Sequence, residues 1–192
     1  MSNDLGDEKL MEREIPYWLA FHQLSGAGIG TAKVKLLYEY FGSLEKAWEA
    51  TSDDLRSLKW LTLDLISNFI SRRAQIDPVA LMNSVNRAST KVYPLFHPEY
   101  PQALREISDP PLVLFVKGSF SAADWQPAVG VVGTRKPSSY GRGLAKDIAR
   151  GLAQSCATII SGMALGVDSL AHRGAIECGG RTLAVLGCGV DY

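Results

Sequence analysis

The chain has 192 residues, 46% of them hydrophobic, enough for one full globular domain and part of a second, and disorder is not indicated. Twenty basic and twenty acidic residues cancel, so no global field attracts nucleic acid, and any such affinity must come from local clustering. Cys156, Cys178 and Cys188 are odd in number and lack close ligand spacing, which argues against a disulfide framework or a metal site and predicts small buried residues.

Residues 1–14, MSNDLGDEKLMERE, are polar and acidic and read as a disordered or frayed leader. They hold no apolar signal region, and no run in the chain approaches the ~20 apolar residues of a membrane span, so a cytoplasmic protein is expected. From Ile15 the pattern turns helical: IPYWLAFHQL, a glycine-rich turn SGAGIG, then TAKVKLLYEYF. Two helices joined by Gly28-Ile29-Gly30 resemble a helix-hairpin-helix, whose tight glycines can offer N–H groups to a phosphate. A plain interhelical turn packed by Ile29 is the favoured reading, because only Lys33 and Lys35 flank it.

Ser43 and then Thr51 or Ser52 are N-caps of two short helices with acids in their first turns. Further helices are expected over Leu63–Gln75 and from Pro78 to about Ala88. Residues 15–90 thus form a small all-α domain of helix-hairpin-helix or SAM-like type, to which no chemistry is assigned. Near residue 90 the period changes from 3.6 to 2, which sets the domain boundary there. Strands are expected at Lys91–Phe96 and Leu112–Val116, separated by a proline-dense connection.

The last third organises the rest. Short apolar runs at Ala128–Val132, Thr158–Ile160 and Thr182–Leu186 each close on or beside a glycine, and amphipathic helices at Tyr140–Gln154 and Val167–Glu177 lie between them. Strand, helix, strand, helix, strand is half of a doubly wound α/β fold with a parallel sheet, so 91–192 reads as a Rossmann-like domain, incomplete at its carboxyl end. In such a fold the loops leaving the carboxyl ends of the strands line one crevice, and the helices that follow aim free N–H groups into it. An anion is expected there. The first loop, Gly133-Thr134-Arg135-Lys136, lacks the Gly-x-Gly-x-x-Gly of a dinucleotide pocket and offers charge and hydroxyls instead, which suits phosphates strung along a backbone.

Within that crevice, Arg135 follows a glycine turn and precedes a hydroxyl-rich helix start, which favours phosphate binding over an internal salt bridge. Ser138 and Ser139 are natural N-caps that can also meet a phosphate. Tyr140 either stacks on a base or packs at the helix start. Arg142, Lys146 and Arg150 share one helix face, where a solvated stripe is the usual explanation, and only Arg142 is nearest the crevice. Ser161 and Gly162 open the second loop and can cradle a phosphate. Asp168 and His172, four residues apart, can meet as an acid/base dyad, but no nucleophile or metal-ligand set accompanies them, so they read as residues that order the loop.

The runs GTRKPSSYG, SGMALGVDSLAH and GG-x-TLAVLGCGVD, together with HPEYPQALREISDPPLVLFVKG at 97–118, resemble the signature core of the DprA (Smf) family of DNA-processing proteins. The resemblance implies a bacterial cytosolic protein that binds single-stranded DNA taken up in natural transformation, protects it and helps load the RecA recombinase. It implies no enzyme activity, no cofactor and no metal, and it matches Arg135 to the arginine of the family's Gly-x-Arg motif. The phosphate-binding set is then Gly133, Thr134, Arg135, Lys136, Ser138, Ser139, Arg142, Ser161 and Gly162. The family's chains continue past this point, so this one is expected to be a fragment. Its homodimer and recombinase surfaces lie largely in the part that follows and do not carry over, and the missing neighbour of the first strand would leave an open edge prone to association. Two competing classes are a nucleotide phosphoribohydrolase of the lysine-decarboxylase-like (LOG) kind and a protein-interaction module. The LOG signature Pro-Gly-Gly-x-Gly-Thr is only partly met by Cys178-Gly179-Gly180-Arg181-Thr182.

Overall fold

The computed structural model describes residues 4–119, 121 and 127–190. They form two compact units, Met1–Lys117 and Gly118–Tyr192.

The first unit contains α1 (Asp4–Gln23), a 3-10 turn (Ser25–Ala27), α2 (Thr31–Phe41), α3 (Leu44–Glu49), α4 (Ser52–Arg56), α5 (Leu63–Arg73), α6 (Pro78–Arg87), β1 (Lys91–Pro94), α7 (Gln102–Arg105) and β2 (Val113–Val116). The short helices are fixed by their caps. Ser43 accepts from the Lys46 N–H, and Thr51, rather than Ser52, forms a capping box with Asp54. Trp18, Phe21, Leu37, Leu44, Leu55 and Phe69 fill the core, each contributing ~1.5–3 kcal/mol. Phe21 stands edge-on to Trp48 and stacks on Phe69, with ring centroids 5.3 and 5.7 Å away.

Two expectations are corrected here. Residues 4–14 are part of α1 and not a disordered leader; residues 1–3 lie outside the described set. At the end of this stretch a long-range contact engages Glu14, which is 5% exposed and whose carboxylate accepts the Leu44 N–H at 2.6 Å, capping α3. The period changes near residue 90 as expected, but the compact unit does not end there. β1 and β2 pair antiparallel, Lys91 opposite Val116, and Val92, Leu95, Tyr100, Leu112 and Val113 join the helical core. The helical hairpin is an interhelical turn packed by Ile29, 2% exposed. Lys33 folds back to donate to the Gly28 carbonyl, and Thr31 donates to the Pro110 carbonyl.

The second unit is a parallel sheet in the order β3 (Ala128–Gly130), β4 (Thr158–Ser161), β5 (Thr182–Ala184). Helices α8 (Ser139–Gln154) and α9 (Val167–Glu177) connect the strands. Sequence order and spatial order coincide, as in one half of a doubly wound fold. Strands β3 and β5 end two residues earlier than expected, although Val131 and Val185 each donate one further bond, to the Ile160 and Ser161 carbonyls. Ala149 and Ala153 of α8, Ala171 and Ala175 of α9, and Ile159 of β4 form the core. Small side chains let both helices lie close to one another over the sheet. Among the described residues β3 pairs on one side only, with β4. All three cysteines are free, and two of them, Cys156 and Cys188, are exposed, which corrects the expectation of burial.

Candidate nucleic-acid interface

Three loops leave the carboxyl ends of β3, β4 and β5, and the first two interlock. Gly166, at φ 92° and ψ −127°, brings its backbone against the first loop: a Cβ there would stand 2.3 Å from the Thr134 carbonyl oxygen and 2.7 Å from the Arg135 Cα. Opposite it, a Cβ on Gly133 would meet the Val167 side chain at 2.8 Å. The Thr134 carbonyl accepts the Val167 N–H at 3.2 Å and so caps α9, whose own N-cap residue has no side chain to do so. The Thr134 hydroxyl accepts the Lys136 N–H at 3.2 Å and rounds the turn. Arg135 is thereby presented from a loop buttressed on its backbone.

The next element adds a helix N-terminus. Ser138 caps α8 by accepting the Gly141 N–H at 3.2 Å, leaving its own hydroxyl proton free to donate, and Ser139 is the first helical residue. Tyr140 is 77% exposed, so most of its ring faces solvent.

The basic cluster divides in two. Lys146 and Arg150 both reach Glu177 of α9, at 2.7 and 3.1 Å, and Arg150 also pairs with Asp147. The hydrogen bond from Lys146, with a smaller one from Arg150, holds the Glu177 carboxyl below its ordinary range. Arg135, Lys136 and Arg142 are exposed and have no ion-pair partner among the described residues. Three uncompensated cations therefore face solvent around the positive end of α8.

Two residues expected to cradle a phosphate are instead engaged inside the unit. Ser161, 3% exposed, donates its hydroxyl to the Val131 carbonyl at 2.7 Å, tying β4 to β3. The Gly162 N–H donates to the Asp168 carboxylate at 3.2 Å. Asp168 thus orders the second loop, and His172 bonds elsewhere, with its Nδ1 2.7 Å from the Thr182 hydroxyl. The two do not form an acid/base dyad. Thr182 and Val167 carry no sequence signal for these duties, because their partners lie on other elements. Among the described residues no group of three or more His, Cys, Asp or Glu side chains is placed to hold a metal, and no helix is long and apolar enough to cross a membrane.

A sequence model of the DNA recombination-mediator protein A family matches residues 91–192. The chain belongs to this family. It is 35% identical over 181 residues to protein Smf of Synechocystis, covering 93% of this chain and 45% of that protein. It is 30% identical over 155 residues to DNA processing protein DprA of Bacillus subtilis, covering 70% and 52%. The crystal structure of DprA from Streptococcus pneumoniae superposes with a TM-score of 0.71 at 29% identity, over 92% of this chain and 59% of that one. The chain spans about half the length of the curated relatives it matches.

Proposed function

We propose that the crevice at the carboxyl ends of β3, β4 and β5 holds the sugar-phosphate backbone of single-stranded DNA, and that the chain serves DNA processing in natural transformation. The observation that carries this reading is the division of the basic cluster: Lys146 and Arg150 are neutralised on Glu177, whereas Arg135, Lys136 and Arg142 stand unpaired beside the capped N-terminus of α8. Unpaired cations at a helix N-terminus bind phosphate, and charge on an interlocked loop spends little on ordering. Gly133, Thr134, Ser138 and Ser139 shape the loop and supply hydroxyls, and Tyr140 is open to a base. The names of the family and of its relatives support a role on DNA.

In this reading the protein is not an enzyme: Asp168 and His172 are occupied with Gly162 and Thr182. It works in the cytoplasm, protects incoming single strands and passes them to the RecA recombinase, with a homodimer formed by the longer family chains. The test is fluorescence anisotropy of labelled oligo(dT) against the chain and its Arg135→Ala variant, across a salt series and with duplex competitor. Loss of a charged hydrogen bond predicts a roughly tenfold or greater loss of affinity. The salt slope should flatten by about 0.7 per lost phosphate contact. Salt-independent binding, or binding indifferent to Arg135→Ala, would overturn the proposal.

A further inference from the structure

Between β4 and α9 the chain runs Gly162-Met163-Ala164-Leu165-Gly166, and its backbone is held at every other residue. The Gly162 N–H donates to the Asp168 carboxylate at 3.2 Å, and the Ala164 carbonyl accepts the Ser169 N–H at 3.1 Å. The Gly166 carbonyl accepts the Ser169 hydroxyl at 2.9 Å. The two residues in between, Met163 and Leu165, are 60% and 79% exposed, and neither belongs to the core of the unit. Met163 stands at φ 57°, in the left-handed region that a residue with a side chain keeps only where its surroundings over-determine it. The loop thus spends backbone strain on holding two large apolar side chains in water.

Their position is set by their neighbours. Leu165 precedes Gly166, whose backbone lies against Thr134 and Arg135, so the apolar pair adjoins the unpaired cations of the first loop. Farther along, Met163 shares an open cleft of about 370 Å³ with Ile176 and Arg173 of α9. Arg173 is exposed, with no ion-pair partner among the described residues. An apolar step therefore lies between Arg135 and Arg173. The matching ligand alternates anionic groups with flat apolar rings. Single-stranded nucleic acid does so, whereas a duplex keeps its base faces stacked inside.

We propose that Met163 and Leu165 form an apolar step on which unstacked bases settle while Arg135 holds the adjoining phosphate, and that this step makes the crevice selective for single strands over duplex. Phosphate contacts alone bind both forms, because both carry the same anionic backbone. Only a single strand can turn its base faces onto the step and bury apolar area there. Arg173 takes a phosphate beyond it. The contact is with ring faces, so it prefers no particular base. The inference rests on the single-stranded DNA function proposed above.

The experiment measures, by anisotropy, oligo(dT), an abasic strand of equal length and a hairpin duplex against the wild-type chain and its variants. Circular dichroism melts establish that each variant is folded. The wild type should bind oligo(dT) about fivefold or more tighter than the abasic strand, the effect of burying part of two apolar side chains. The double variant Met163→Ala with Leu165→Ala should lose most of that difference. It should bind the abasic strand and the duplex as the wild type does, with an unchanged salt slope. Leu165→Phe, which offers a flat ring, should tighten oligo(dT) about threefold and leave the abasic strand unchanged. Arg135→Ala and Arg173→Ala should weaken all three ligands and keep the preference for oligo(dT). Equal wild-type affinity for oligo(dT) and the abasic strand overturns the inference. So does a double variant that keeps full affinity for oligo(dT), which would give the step to another partner such as a protein, or one that loses all three ligands equally. Arg135-dependent binding without a contribution from bases overturns this inference alone, whereas no DNA binding by the folded wild-type chain overturns both it and the function it rests on.

Discussion

Replacing Gly166 by alanine tests whether the two crevice loops act as one body. The backbone at φ 92° and ψ −127° lies in a region that L side chains rarely adopt, at a cost of ~1–3 kcal/mol. The added Cβ would also stand 2.3 Å from the Thr134 carbonyl oxygen and 2.7 Å from the Arg135 Cα and carbonyl carbon. These are backbone atoms, so no rotamer change relieves them and the first loop must move. At least about 2 kcal/mol is expected in all, which for a unit of this size lowers its melting temperature by about 8–16 °C. The informative readout is DNA affinity below the melting range. No charge changes, yet displacement of Arg135 should weaken oligo(dT) binding about tenfold or more. An unchanged melting temperature together with unchanged affinity would refute the interlock, and a destabilised chain with full affinity would refute its part in binding.

Ser138 can be asked about capping and phosphate contact separately. Ser138→Ala should cost about 1 kcal/mol of stability and weaken DNA binding, whereas Ser138→Asp should restore the cap and weaken binding further, read by denaturant titration and anisotropy. Arg142→Ala should lower DNA affinity several-fold and reduce its salt slope, while Lys146→Ala and Arg150→Ala should leave it within about twofold, because Glu177 already holds them. Glu14→Ala should destabilise the first unit by about 1–3 kcal/mol by leaving the Leu44 N–H unpaired, measured by chemical denaturation. Burial lowers the pKa of both His22 and His172 from the ordinary 6.5. The unfolded chain therefore takes up protons first, and stability should fall as pH drops through 6.5 and level off below the folded values. Denaturation midpoints at a series of pH values check this, and a midpoint that rises on acidification would contradict it.

Much of the second unit was legible because its signals are local. Three apolar runs each closing beside a glycine, with two amphipathic stretches between them, specify a parallel βαβαβ unit, and each strand starts where the sequence places it. Ser138 announces itself as a cap through its place before α8. What the sequence could not show were partners distant along the chain. Ser161 and Gly162 look like phosphate donors in isolation, and only the sheet reveals that Val131 and Asp168 have already taken their protons. The early start of α1 was hidden in the same way: residues 1–14 are polar and acidic and read as leader, whereas the Glu14 carboxylate finds its partner, the Leu44 N–H, thirty residues on. The alternation at Lys91–Pro94 does mark a strand, but alternation does not say which core that strand joins.

That last distinction has a practical side. The family model begins to match at residue 91, but the first compact unit runs on to Lys117. Severing the chain at the first of these positions would strip Val92, Leu95, Leu112 and Val113 from the helices they cover, leaving a helical piece with an open seam and a tail that has lost its bed. Severing it between Lys117 and Gly118 would leave each piece its own interior.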